Sequence, residues 1–246
     1  MTLALPDLAA VAAIVLFAYV VVGTTGFGAS ITGVPLLVHL LPLQTVVAMM
    51  VIFDLCAGIV IGGRNRSAID AGELRRLLPW GMLGIALGAT VLVNAPERAL
   101  LLTLGVGVLV YAGWSLLGRQ PSGPISAGWA PPIGLVGGVF GAMFGTGGPV
   151  YTIYLSRRIT GKAALRATMM TIVFLSAIAR FVALAVAGLY ARAELLTLVP
   201  VLLPCVFGGL YLGNALHHRL GAKQVMNVVW ALLVTSGVGL VLRGLG

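Results

Sequence analysis

Eight apolar runs, each bounded by charges or turn residues, take up most of this chain: 8–41, 43–63, 76–93, 99–118, 129–157, 167–190, 195–215 and 225–242. One crossing of a bilayer core needs ~20 residues, so six of these runs are sized for a single crossing. In a chain of 246 residues they leave no room for an extramembrane domain. Charged residues make up only 9% of the sequence and hydrophobic ones 60%, whereas about a quarter of an ordinary globular chain is charged. The runs are too long for strands, and in lipid every backbone polar group must be satisfied internally. The expectation is an all-α polytopic membrane protein forming a single transmembrane domain, 1–246.

The net charge of +9 does not point to nucleic acid. The positive residues lie between apolar runs rather than on one face, as topology determinants do. Met1 to Ala10 carries Asp7 and no Lys or Arg, so it lacks the basic start of a signal peptide, and the first run is expected to stay in the mature protein. Cys56 and Cys205 both fall inside apolar runs. They read as small buried hydrophobes rather than a disulfide framework or a zinc site. No metal and no cofactor is expected.

The first and fifth runs depart from the simple pattern. The first holds Gly23-Thr24-Thr25-Gly26-Phe27-Gly28 and then Thr32-Gly33-Val34-Pro35; the fifth holds Phe140-Gly141 and then Phe144-Gly145-Thr146-Gly147-Gly148-Pro149. Glycine weakens a helix and proline cannot continue one without losing a hydrogen bond. Each run is therefore expected to be a broken helix: a long arm of about fifteen residues, a non-helical tip and a shorter arm. At 1.5 Å per residue the long arm reaches ~22 Å, beyond the middle of a ~30 Å core.

The two halves of the chain echo each other. Thr32-Gly33-Val34-Pro35 matches Thr146-Gly147-Gly148-Pro149, Met49-Met50 matches Met169-Met170, and Pro79, Gly84 and Gly88 match Pro204, Gly209 and Gly213 at the same spacing. Repeat one runs over about 7–118 and repeat two over about 129–243, joined by a Pro/Gly/Ser linker over about 119–128. If each broken run is a re-entrant hairpin, each half makes three full crossings and the second half is inverted. Arg64, Arg66, Arg75, Arg76, Arg119, Arg157, Arg158, Lys162, Arg166, Arg219 and Lys223 then fall on the cytoplasmic side, with Arg98, Arg192 and Arg243 outside. Letting both broken runs cross fully would put the Arg157 cluster opposite Arg64. The positive-inside rule thus favours two inverted repeats, each a broken or re-entrant helical hairpin plus three transmembrane helices, with both termini outside.

Non-helical backbone at membrane depth persists only where protein or a wet cavity satisfies it, and paired breaks in two repeats point to a transporter's binding site. In Thr-Gly-x-Pro the proline suits a first helical turn and a preceding Thr or Gly can cap it. Each short arm would then begin near the midplane, offering free N–H donors and partial positive charge to an anion. Thr24, Thr25, Thr32 and Thr146 would add hydroxyls, and the glycines would let the ligand approach the backbone. The alternative is that the glycines only permit tight helix packing, which suits Gly58/Gly62 and Gly84/Gly88. Asp54 and Arg180 are the two charged side chains well inside full crossings. Intramembrane charges are costly and default to functional hypotheses. Arg180 would hold an anion through its planar fork, and Asp54 is either a coupling proton site or the resting partner of Arg180. A purely structural pair, or an outward-snorkelling Arg180, stays open on sequence alone.

These motifs, at these positions in two homologous halves, resemble the TauE/SafE sulfite exporter family over nearly the whole chain. The resemblance implies transport of sulfite or a small organosulfonate such as sulfoacetate across the bacterial inner membrane. It also implies a substrate lining of Thr24, Thr25, Gly26, Phe27, Gly28, Thr32 and Gly33 with Phe144, Gly145, Thr146, Gly147 and Gly148. It assigns no role to Asp54 or Arg180. The expected partners are a small anionic sulfur-containing substrate and the lipid bilayer, with a homodimer left open. The leading reading is a secondary transporter working by alternating access. An anion channel is the main alternative. A membrane-embedded enzyme is the weaker one: Asp54 is the sole carboxylate inside a crossing, and no catalytic residue is assigned.

Overall fold

The computed structural model describes residues 4–25, 28–61, 68–116, 123–216 and 222–245. Among them are ten α-helices: α1 (Leu5–Thr25), α2 (Ala29–Leu37), α3 (Leu43–Ile61), α4 (Ala71–Asn94), α5 (Glu97–Leu116), α6 (Ala130–Phe144), α7 (Gly147–Leu155), α8 (Lys162–Val186), α9 (Ala193–Leu216) and α10 (Ala222–Leu245). Short 3₁₀ turns lie at Ala127–Trp129 and Leu189–Ala191. Eight helical segments are long and apolar enough to cross a membrane. The exceptions are α2 and α7, at nine residues each, which reach only ~13 Å.

Both expected breaks are present. α1 ends at Thr25 and α2 starts at Ala29, while α6 ends at Phe144 and α7 starts at Gly147. The short arms fold back on the long ones. A Cβ at Gly28 would lie beside Val21 and one at Gly33 beside Ala18; Gly147 likewise meets Gly137 and Gly141. The chain reverses at α6 through Gly145, whose φ of 72° is accessible without strain only to glycine. Gly145 N–H donates to Gly141 O at 2.8 Å and Thr146 N–H to Phe140 O at 3.3 Å. This pair occupies the Phe140 and Gly141 carbonyls in the last turns of α6.

Two details differ from the sequence expectation. α1 has 21 residues rather than about fifteen, ~31 Å and enough for a full crossing. Thr32-Gly33-Val34-Pro35 does not start its short arm. Thr32 N–H already bonds Gly28 O at 3.2 Å, so the helix is under way and Pro35 sits inside it. Pro35 leaves only the Ile31 carbonyl without its helical donor, and at the C-terminal end of the arm α10 bonds the backbone: Ser236 donates to Pro35 O at 2.6 Å and Arg243 to Val38 O at 2.8 Å.

The helices group into two compact units. The first takes 1–50, 95–120 and 191–246, the second 51–94 and 121–190. Each unit thus draws helices from both halves of the sequence. In the first, α1 packs along α9, α5 along α10, and α2 against α1 and α10; in the second, α4 packs along α6 and α8, and α7 against α6 and α8. Both long seams are backbone-to-backbone. A Cβ at Gly213 would stand 2.3 Å from Val20 O, one at Gly84 2.2 Å from Leu135 O, and one at Gly138 2.2 Å from Gly81 O. Small residues draw membrane helices together in this way, so Gly84 and Gly88 follow the packing alternative.

The second unit also carries an ionic knot around Glu73, only 4% exposed. Its carboxylate accepts from Tyr154 Oη at 2.7 Å, from Arg158 Nη2 at 2.7 Å and Nε at 3.0 Å, and from Arg76 Nη1 at 2.7 Å. Arg158 lies in the turn after α7, and these hydrogen bonds hold its guanidinium above the usual arginine value. Asp70 Oδ1 accepts from Glu73 N–H at 3.0 Å, capping α4. The far end of α7 is thereby tied to the start of α4.

The seam gives a stability contrast. Gly138→Leu should lower thermal stability in detergent by at least the ~1–3 kcal/mol typical of overpacking. Gly113→Ala, whose Cβ meets nothing within 4 Å, should be neutral or gain up to ~1 kcal/mol. Melting of the two variants side by side checks both, and equal melting points would contradict the close seam.

Candidate substrate site

Where α6 ends and α7 begins, the second unit holds a small, partly open cavity of about 20 Å³, room for roughly one water. Ile85 of α4 lines it, with Gly137, Gly141, Gly145, Gly147, Gly148 and Tyr151 of the hairpin and Val173, Ser176 and Arg180 of α8. Glycine dominates one wall because the hairpin needs it. A Cβ at Gly147 would meet Gly137 O at 2.5 Å, and one at Gly137 the Tyr151 ring at 2.5 Å. Gly148 differs: nothing lies within 4 Å of its Cβ position, so hydrogen there leaves open space.

Arg180 supplies the charge. It is 3% exposed and does not snorkel. Nη2 donates to Asp54 Oδ2 at 3.1 Å and Nη1 to Gly141 O at 3.1 Å, while Nε is buried without a hydrogen-bond partner. The Gly141 carbonyl thus accepts from both Gly145 N–H and the guanidinium, using both of its lone pairs. The cation sits at the negative end of the α6 dipole, and the start of α7 brings the positive end of another. The Asp54 side chain is 15% exposed against 4% for Arg180, so the carboxylate is the more accessible partner. An ion pair this far inside protein is held by geometry: removal of one member strands the other.

The sequence-assigned residues divide. Gly145, Gly147, Gly148 and Arg180 come together around the cavity, with Asp54 joined through Arg180. Phe144 is fully buried against Phe140, ring centroids 6.0 Å apart, and Thr146 directs its hydroxyl back to Phe140 O at 3.5 Å without capping α7. In the first unit, Thr24 and Thr25 donate to the Val21 carbonyl at 2.9 and 2.7 Å, and Gly33 packs on Met50. Gly28 takes the positive φ of 103° that precedes α2. The Thr32 hydroxyl is buried with no hydrogen-bond partner. Gly26 and Phe27 lie outside the described residues. Sequence reasoning missed Ile85, Gly137, Tyr151, Val173 and Ser176. Gly141 was quoted only as part of the break. The cue was available for Tyr151, which stands four residues after Gly147 and three after Gly148 and so shares their face of α7.

A family model described as sulfite exporter TauE/SafE matches residues 11–240. A relative described as the probable inner membrane transporter protein TsaS of Comamonas testosteroni is 29% identical over 196 residues, which cover 78% of this chain and 81% of its own. No solved structure matches the chain.

The buried pair predicts a double-mutant result. Arg180→Ala, which strands Asp54, should cost about 3–5 kcal/mol. Adding Asp54→Ala should restore part of that, with a coupling of about 0.5–3 kcal/mol. Denaturation of the two single variants and the double in detergent measures it; strictly additive losses would mean the two side chains do not interact.

Proposed function

We propose that this chain, which belongs to the sulfite exporter TauE/SafE family, is a secondary transporter that moves a small sulfur-containing anion, sulfite or an organosulfonate, by alternating access. The observation that carries this reading is Arg180: a guanidinium enclosed in protein, with one nitrogen free of hydrogen bonds, lining a cavity at the start of α7. A fixed cation beside a helix N-terminus favours an oxyanion. The family and the relative's name point to transport rather than catalysis. In this reading the protein is a multi-pass protein of the bacterial inner membrane with both termini on the periplasmic side, and the hairpins are re-entrant parts of two inverted repeats.

The cavity's size bears on mechanism. With room for about one water, it must widen before a sulfur oxyanion can enter, so the described state is too narrow for its substrate. A carrier needs such a state; an open pore does not.

Gly148 provides the test. Gly148→Leu should fill the cavity and abolish saturable sulfite or sulfonate counterflow in proteoliposomes while the melting temperature stays near wild type. Gly147→Leu, aimed at Gly137 O, should instead lower the melting temperature. Wild-type counterflow in a folded Gly148→Leu protein would move the site elsewhere. Wild-type protein should also be stabilised thermally by the transported anion, and flux that neither saturates nor shows counterflow would favour a channel.

A further inference from the structure

From the Asp54–Arg180 pair we infer that Asp54 is a proton site, and that the protein carries one proton with each monoanion, so that transport is electroneutral. The inference rests on the reading of the α6–α7 cavity as an anion site. With no substrate, Arg180 is neutralised by Asp54 at 3.1 Å and the pair has no net charge. An arriving monoanion must bind the same guanidinium, whose third nitrogen is the one without a partner. Arg180⁺, Asp54⁻ and the anion together would leave one uncompensated negative charge inside protein, which low-dielectric surroundings resist. A proton on Asp54 removes it: Arg180⁺, neutral Asp54 and the anion again sum to zero. On release the anion and the proton leave together and Asp54 returns to Arg180.

Asp54 is placed for this role by its bond to Arg180. The lining of the cavity itself carries no carboxylate and no histidine, and Asp54 joins it through Arg180. Two phenols also lie near Arg180: Tyr151 of α7, beside Ser176, and Tyr190 after α8. A phenol stays protonated at neutral pH, and a guanidinium does not release its proton. Asp54 is also the more exposed member of the pair, 15% against 4%.

The test uses wild-type protein in liposomes clamped at zero potential with potassium and valinomycin, and methanesulfonate as the anion because it stays ionised at every working pH. A lumen one pH unit more alkaline than the bath should concentrate methanesulfonate inside up to about tenfold, and protein-free liposomes should not. In Asp54→Asn, which carries no proton, the same pH step should drive no accumulation, while an inside-positive potential should drive it. A wild-type protein that shows counterflow but follows potential rather than the pH step overturns the coupling and leaves the transport reading standing. Loss of counterflow itself would remove that reading for sulfonates. The wild-type measurement decides the question even if the variant fails to fold.

Discussion

A peptide group left unpaired in hydrocarbon costs several kcal/mol, and the second unit is arranged around one place where that cost threatens. At the α6–α7 break the helix stops inside protein. The Phe140 and Gly141 carbonyls in its last turns are taken by Gly145 and Thr146 N–H groups, and Gly141 O also receives Arg180. Arg180 therefore satisfies backbone and carries charge with the same fork. Asp54 neutralises it, and Gly145 is a glycine because the reversal requires positive φ. One termination problem fixes the residue types at several positions.

The seams serve that arrangement. Contact between α4 and α6 is backbone-to-backbone through Gly84, Gly88 and Gly138, which presses Ile85 into the cavity wall. At the other end of α7, Tyr154 and Arg158 close on Glu73. The short arm is thus held at both ends, by glycine contacts at its start and by an ionic knot at its finish. In the first unit α2 is held differently, its C-terminal carbonyls bonded by Ser236 and Arg243 of α10.

The helices and their breaks were legible because their causes are local. Apolar length sets the crossings, and Gly145-Thr146-Gly147-Gly148-Pro149 marks a stop and a restart within five residues. The start of α2 was misread because its proline lies inside the helix. A proline marks a first turn only when nothing before it is already helical, and Thr32 N–H bonded to Gly28 O shows that something was. The Asp54–Arg180 and Glu73–Arg158 contacts join residues 126 and 85 positions apart. Sequence nominated the first pair, since each member is an expensive charge in an apolar run. Glu73 escaped notice because it sits among the arginines of a basic loop, where an exposed carboxylate would be ordinary. The exchange of helices between the two halves has no local signature: it depends on which glycine faces find each other.

The cavity's walls differ in what they can become. Gly137 and Gly147 lie against neighbouring backbone and an aromatic ring, so drift at those codons is closed off. Ile85, Val173 and Ser176 stand on α4 and α8, outside the hairpin, and can change size or polarity without disturbing the turn. Diversification of ligand preference among proteins built this way should therefore accumulate on the two supporting helices, leaving the glycine loop as a shared frame that records ancestry rather than diet.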